Sequence, residues 1–294
     1  MKQIFEGTAV AIVTPLKNNK IDYEAFENII ERDIQMGAKA IVVLGTTGEG
    51  ATMSDYERSE VISFAKSVIN GRVKLIAGTG SNNFEQAYYN TKMAKLIGVD
   101  AALIVTPYYN KTTQCGLVEY YKRLGGIGLP IIMYNVPSRT GLNIYIDTIE
   151  ELLAEDMIYG IKESTNDINR IIKLSAICKD RIALYSGEDS LNYIFYVLGA
   201  QGAISVTANV YADKVQAVYD YVKNGEYENA LRLQNELSVI NDLLFVETNP
   251  IPVKELMAKK GLIKNELRLP LVNASEESLK RINGYFEDEK GFNI

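Results

Sequence analysis

Lys162 ends a short apolar run, Met157-Ile158-Tyr159-Gly160-Ile161-Lys162, and Glu163-Ser164-Thr165 follows at once. A run that short, apolar and bounded by polar turn residues reads as a buried β-strand. An amine at the end of such a strand is costly unless it does something. Partial burial disfavours the ammonium and frees the neutral amine to attack carbonyl carbon. The plainer reading is an ion pair with Glu163 or another carboxylate at the strand's polar end.

Other residues would give that amine a reaction. Gly45-Thr46-Thr47-Gly48-Glu49 offers two hydroxyls, Thr46 and Thr47, and backbone N–H groups freed by flanking glycines, a set able to hold a carboxylate. Tyr134 could pass protons as a carbinolamine forms and collapses. Arg139 presents a planar fork suited to a second carboxylate. A 2-oxo acid held as an imine, together with a second acidic substrate, is the chemistry these types imply. Singly, each has an ordinary alternative: a tight strand-to-helix turn, a packed core tyrosine, a surface ion pair. Their joint occurrence at strand ends carries the argument. The glycine turn is no phosphate loop, because the GxxxxGK[ST] spacing is absent, and Gly78-Thr79-Gly80 is too short for a dinucleotide fingerprint.

The elements that must position these groups recur along the chain. Strand-like runs fall at Thr8–Val13, Ala40–Leu44, Val73–Ala77, Ala101–Val105, Pro130–Tyr134, Ile158–Lys162, Ile182–Tyr185 and Gly202–Val206. Helical periodicity lies between them, as at Tyr23–Met36 and Ser54–Ile69, where Ser54 and Glu57 form a capping box. Eight strand–helix units predict an α/β fold, a (β/α)8 barrel, whose active groups sit at the C-terminal ends of strands. A doubly wound open sheet is the alternative, but Thr14-Pro15-Leu16 after the first strand is not its glycine fingerprint. From about residue 210 the pattern is helical throughout, at Tyr211–Val222, Tyr227–Leu244 and Val253–Lys260. The expectation is a single domain over 1–294, with the barrel to about 225 and a C-terminal helical layer over about 226–294.

Composition narrows the classes. The 294 residues carry a formal charge of −6, which gives no basic footprint for nucleic acid or anionic membrane. No apolar run approaches the ~20 residues of a membrane span, and the first residues lack a signal peptide's apolar core and cleavage site. Cys115 and Cys178 stand alone, without the spacing of a disulfide framework or a zinc site, so a reduced cytoplasmic chain is expected. Histidine is absent altogether. That excludes hydrolases built on a histidine base and the usual zinc enzymes, and leaves proton transfer to Lys, Tyr, Asp, Glu, Cys or substrate.

At Gly45–Glu49, Tyr134–Gly141 and Gly160-Ile161-Lys162-Glu163 the chain resembles the class I pyruvate-dependent lyases and synthases. Asn249–Lys254 and Leu267–Leu271 also match, so the resemblance covers essentially the whole chain. It implies a Schiff-base lysine at Lys162, a tyrosine over the imine at Tyr134 and the threonine pair at Thr46 and Thr47. It also implies an arginine for the aldehyde substrate at Arg139, and a site lining at Gly187 and Ile204. Tyr109 matches a tyrosine lent by a neighbouring subunit to a proton relay with Thr46 and Tyr134. Sugar-acid lyases of the family typically carry serine at the first threonine and lack the arginine, so the resemblance favours the synthase branch. The implied reaction condenses pyruvate with L-aspartate 4-semialdehyde to 4-hydroxy-tetrahydrodipicolinate, on the route to diaminopimelate and lysine. No metal or organic cofactor is implied, because the imine is itself the electron sink. The usual assembly is a homotetramer built from two tight dimers. A retro-aldol lyase on a sugar acid and an inert barrel used for binding are the competing readings. Lysine-sensitive members typically grip lysine through a histidine after the threonine motif and a glutamate one turn after the asparagine matching Asn82. Here those places hold Asp55, Tyr56 and Arg58, and Gln86, so weak or absent lysine inhibition is expected.

Overall fold

Eight short runs rich in Val, Ile, Leu and Ala become eight parallel strands closed into a barrel in the computed structural model, which describes residues 1–291. They are β1 (Gly7–Ala11), β2 (Ala40–Val43), β3 (Lys74–Gly78), β4 (Ala101–Val105), β5 (Ile131–Asn135), β6 (Ile158–Glu163), β7 (Ala183–Ser186) and β8 (Gly202–Ser205). Each strand pairs with its successor, and β8 closes on β1 with Gly7 opposite Gly202 and Val10 opposite Ser205.

Side chains alternate across each strand, and the alternation sorts them between two cores. Ala9, Val42, Ile76, Leu103, Tyr134 and Ile204 are among those filling the barrel interior. Val10, Ile41, Ile104, Met133, Ile161 and Leu184 point outward and pack in the larger cluster with the helices. Because Met133 and Ile161 face out, Tyr134 and Lys162 must face in. At the N-terminal end Phe5 stacks on Tyr185 with ring centroids 4.3 Å apart, closing the interior from below.

The surrounding helices are α1 (Tyr23–Gln35), α2 (Asp55–Ile69), α3 (Phe84–Ile97), α4 (Gln114–Gly125), α5 (Pro137–Thr140), α6 (Ile146–Leu152), α7 (Ile168–Cys178), α8 (Asn192–Val197) and α9 (Ala208–Lys223). The capping box expected at Ser54 is present: Glu57 N donates to Ser54 Oγ at 3.3 Å and Ser54 N to Glu57 Oε2 at 3.0 Å. Three more helices follow, α10 (Tyr227–Leu243), α11 (Ile251–Lys259) and α12 (Glu276–Gly291).

Several boundaries differ from expectation. The first strand stops at Ala11, because Val13 N donates to the Asn209 side chain at 3.0 Å and not to a neighbouring strand. The helix expected from Tyr211 begins at Ala208 and is kinked at Tyr211, with φ −135° and ψ 56°. The C-terminal region is not helical throughout. Residues 264–268 form an irregular strap, pinned where the Arg268 guanidinium grips Glu57 at 2.6 Å and Asn19 O at 2.8 Å. The helical layer expected over 226–294 is described as far as Gly291, and 292–294 lie outside the described residues. No helix among the described residues is long and apolar enough to cross a membrane.

Candidate active site

The inward parity of β5 and β6 makes Tyr134 and Lys162 cross-strand partners at the C-terminal rim. Lys162 is 6% exposed, and its Nζ lies 4.4 Å from the centre of the Tyr134 ring. The plainer reading of Lys162, an ion pair with Glu163, is overturned. Glu163 is the next residue and therefore faces the opposite way, where Arg170 Nη2 and Asn135 Nδ2 each donate to it at 2.9 Å. Burial raises the pKa of Glu163, with Arg170 opposing the rise. Among the described residues Lys162 forms no ion pair, and its amine is held against the face of the Tyr134 ring.

Gly187, after β7, makes that packing possible. A Cβ there would stand 2.7 Å from Lys162 Cε, and closer still to Ser164 Oγ. Ile204 of β8 is buried in the same interior cluster as Tyr134. Beside them Glu188 has its pKa raised, chiefly by burial, with the charge of Lys162 among the opposing influences. Glu188 was not singled out from the sequence, since a carboxylate in a polar loop carries no signal of its own.

The threonine turn after β2 is tightly wound. Leu44 and Glu49 both have left-handed φ, at 58° and 53°. Gly50 is required there because any side chain would strike the Leu44 carbonyl. Thr46 is exposed at the rim, whereas Thr47 is buried and accepts a hydrogen bond from Asn249 Nδ2 at 2.9 Å. Glu49 anchors the turn from behind: Lys254 Nζ donates to it at 2.5 Å and Arg268 N at 3.0 Å. Burial lowers the pKa of Lys254 and the Glu49 charge opposes the fall.

Arg139 sits on α5, whose first residue is Pro137, and its Nη2 donates to Asn249 O at 3.1 Å. Thr46, Tyr134, Arg139 and Asn249 share the wall of a cavity of about 670 Å3, which extends to Asp55 and Arg58. Lys162 lies behind Tyr134, against its ring. Asn249 joins the threonine turn to Arg139; the sequence resemblance includes it in Asn249–Lys254 but gives it no role. It lies in the C-terminal extension, 202 positions from Thr47, where spacing is silent.

Other strand-end residues do not join the site. Asn209 is wholly buried and donates to Ala11 O at 2.8 Å, holding β1. Asp189 accepts from Val206 N at 2.8 Å and Thr207 N at 3.0 Å. Tyr109 is 92% exposed with φ 67° and is not part of the cavity wall in its own chain.

The family model described as the dihydrodipicolinate synthetase family matches residues 4–287. The 4-hydroxy-tetrahydrodipicolinate synthase of Clostridium novyi is 43% identical over 286 residues, 97% of each chain. That of Thermodesulfovibrio yellowstonii is 45% identical over 280 residues, 95% of this chain and 96% of the other. Among solved structures, dihydrodipicolinate synthase from Thermotoga maritima superposes with a TM-score of 0.95 at 36% identity, covering 97% of this chain and 99% of that one. A barrel with an interior lysine, matched to these proteins from its first strand to its last helix, is a member of the dihydrodipicolinate synthetase family.

Proposed function

We propose that this enzyme condenses pyruvate with L-aspartate 4-semialdehyde through an imine on Lys162. The product is 4-hydroxy-tetrahydrodipicolinate, which leads on to diaminopimelate and lysine. The observation that carries the reading is the buried Lys162 amine, which forms no ion pair among the described residues and lies 4.4 Å from the ring centre of Tyr134.

The amine attacks C2 of pyruvate, and loss of water gives the imine. Loss of a methyl proton gives the enamine, whose carbon forms a bond to the aldehyde carbon of the second substrate. That substrate's amino group then attacks C2, closing the ring and releasing Lys162. Tyr134 moves protons during the first steps, Thr46 and Thr47 take the pyruvate carboxylate, and Arg139 takes that of the semialdehyde. Gly187 leaves room for the lysine chain and Ile204 floors the site. No metal or organic cofactor enters the scheme.

A homotetramer formed from two tight dimers belongs to the same proposal, with Tyr109 reaching a neighbour's Thr46 and Tyr134. Its 92% exposure and left-handed backbone support a residue presented outward. The setting is cytoplasmic. A relative from Cyanidioschyzon merolae has been solved with lysine bound. In this chain Gln86 Nε2 donates to Asp55 Oδ1 at 2.8 Å and Asn90 Oδ1 at 3.0 Å. The cavity does contain a carboxylate, Asp55, but it already accepts from Gln86 and shares the cavity wall with the buried Arg58 cation, so lysine inhibition is weak. Submillimolar lysine should leave turnover at saturating substrate intact, and marked inhibition there would refute this.

Borohydride added with pyruvate should inactivate the protein and leave a reduced adduct on Lys162, located by peptide mass. Turnover of pyruvate with the semialdehyde should be lost in Lys162→Ala. An adduct on another lysine would overturn the mechanism.

A further inference from the structure

Lys254 and Glu49 form an ion pair whose side chains solvent does not reach, with Lys254 Nζ donating to Glu49 Oε1 at 2.5 Å. Buried pairs add little to stability, because the cost of taking two charges out of water roughly cancels their attraction. This pair stands where it sets geometry. Glu49 N donates to Thr46 O at 3.1 Å, so Thr46 and Glu49 open and close a four-residue turn that also holds Thr47. The Glu49 backbone is left-handed, φ 53° and ψ 32°, a conformation that a residue with a side chain keeps only where its surroundings hold it. We infer that Lys254 is a positioning residue: through Glu49 it sets the Thr46–Thr47 turn, and with it the preference for a ketone that carries a carboxylate.

Three holds converge on the turn from α11 and the strap. The Lys254 ammonium reaches the Glu49 side chain directly. It also donates to Thr14 O at 3.0 Å, and the Thr14 hydroxyl donates to Gly48 O at 2.7 Å. One buried cation thus fixes two consecutive residues of the turn, Glu49 by its charge and Gly48 through Thr14. The second carboxylate oxygen, Glu49 Oε2, accepts from Arg268 N at 3.0 Å.

An ion pair suits this task better than apolar contact would. Apolar packing keeps a group in place without aiming it, whereas charge-assisted hydrogen bonds are directional. Donors that grip a carboxylate need that aim, since a hydrogen bond weakens steeply once its angle is lost. None of the three holds touches Tyr134 or Lys162, which stand on β5 and β6. The brace therefore bears on the carboxylate of the substrate and not on attack at its carbonyl carbon.

The inference rests on the proposed role of the threonines, and the test keeps the two apart. Pyruvate and methyl pyruvate, a neutral ester with the same ketone, are each trapped on Lys162 with borohydride below saturation. Peptide mass locates the adduct, and a thermal melt is recorded for each protein. Lys254→Met alone would leave Glu49 charged and unpaired in the core, so the main variant is Glu49→Gln/Lys254→Met, which removes both charges. Its trapping efficiency with pyruvate should fall roughly 10- to 100-fold, the scale of lost hydrogen bonds to a charged group. With methyl pyruvate it should fall by less than about threefold. Thr14→Val cuts only the arm to Gly48 and should lower the preference for pyruvate by about three- to tenfold, the scale of one neutral hydrogen bond. That variant decides the matter if the double variant does not fold. Equal losses with both ketones, or a lower melting temperature with the preference intact, would make the pair a structural strut and overturn the inference. Wild type with no preference for pyruvate would instead refute the threonines as the carboxylate site, and wild type with no adduct on Lys162 would refute the imine itself.

Discussion

Gly187→Ala places one methyl group against Lys162, the proposed nucleophile. The new Cβ would stand 2.7 Å from Lys162 Cε. Carbon atoms rest at roughly 3.5–4.0 Å, so the overlap is about 0.8–1.3 Å. The backbone contributes no strain, because Gly187 is not among the glycines with positive φ. Two relaxations are available. Ser164 Oγ, which donates to Gly187 O at 3.0 Å, must turn away, and the lysine chain must shift at Cε, one bond from its amine. Overpacking of this kind costs about 1–3 kcal/mol of stability. Displacing the amine by about 1 Å costs on the order of 10²-fold in rate, or roughly 2.7 kcal/mol of barrier. Turnover in a coupled assay, the rate of borohydride trapping with pyruvate and a thermal melt would separate the two effects. Both rates should fall by similar factors, because imine formation is the step that uses the displaced atom. Adding Ser164→Ala removes the nearest clash but not the one at Lys162, so stability should recover in part and turnover should not. A folded Gly187→Ala protein within about threefold of wild-type turnover would refute the reasoning.

Arg139→Ala should lower kcat/KM for the semialdehyde by roughly 10- to 150-fold, the scale of a lost charged hydrogen bond of about 1.5–3 kcal/mol, with pyruvate trapping much less affected. Equal damage to both steps would mean that Arg139 organises the whole site. Tyr109→Phe should lower turnover without preventing assembly, and mixing it with Lys162→Ala subunits should regenerate some intact sites. Properly mixed dimers that recover nothing would return Tyr109 to its own chain or remove it from the relay. The Arg268 guanidinium, first among its partners, holds the Glu57 carboxyl at about 2, well below the usual carboxylate range. A depressed carboxylate stabilises the fold above its unfolded pKa and loses that contribution as pH falls toward 2. Arg268→Ala should therefore flatten the decline of Tm between pH 4.5 and 2, and an unchanged slope would remove the pair from the acid response.

The sequence by itself determined the barrel and the inward-facing lysine at its rim. Strand length, the apolar bounds of each run and the two-residue alternation are local properties, so they report which side chains emerge at the rim and on which side. That is why Lys162 and Tyr134 could be placed together, and why the Ser54–Glu57 cap was legible from a spacing of three. The same local logic failed where direction along one strand had to be traded against an ion pair: Glu163 was offered to Lys162 but faces Arg170 on the outside. Only the tertiary structure decided what stands behind the rim. Asn249 reaches Thr47 across 202 positions and Lys254 reaches Glu49 across 205. These contacts depend on barrel closure and on how the C-terminal helices and strap fold back over the strand ends. Periodicity carries no record of that geometry, because each partner alone is an ordinary asparagine or lysine.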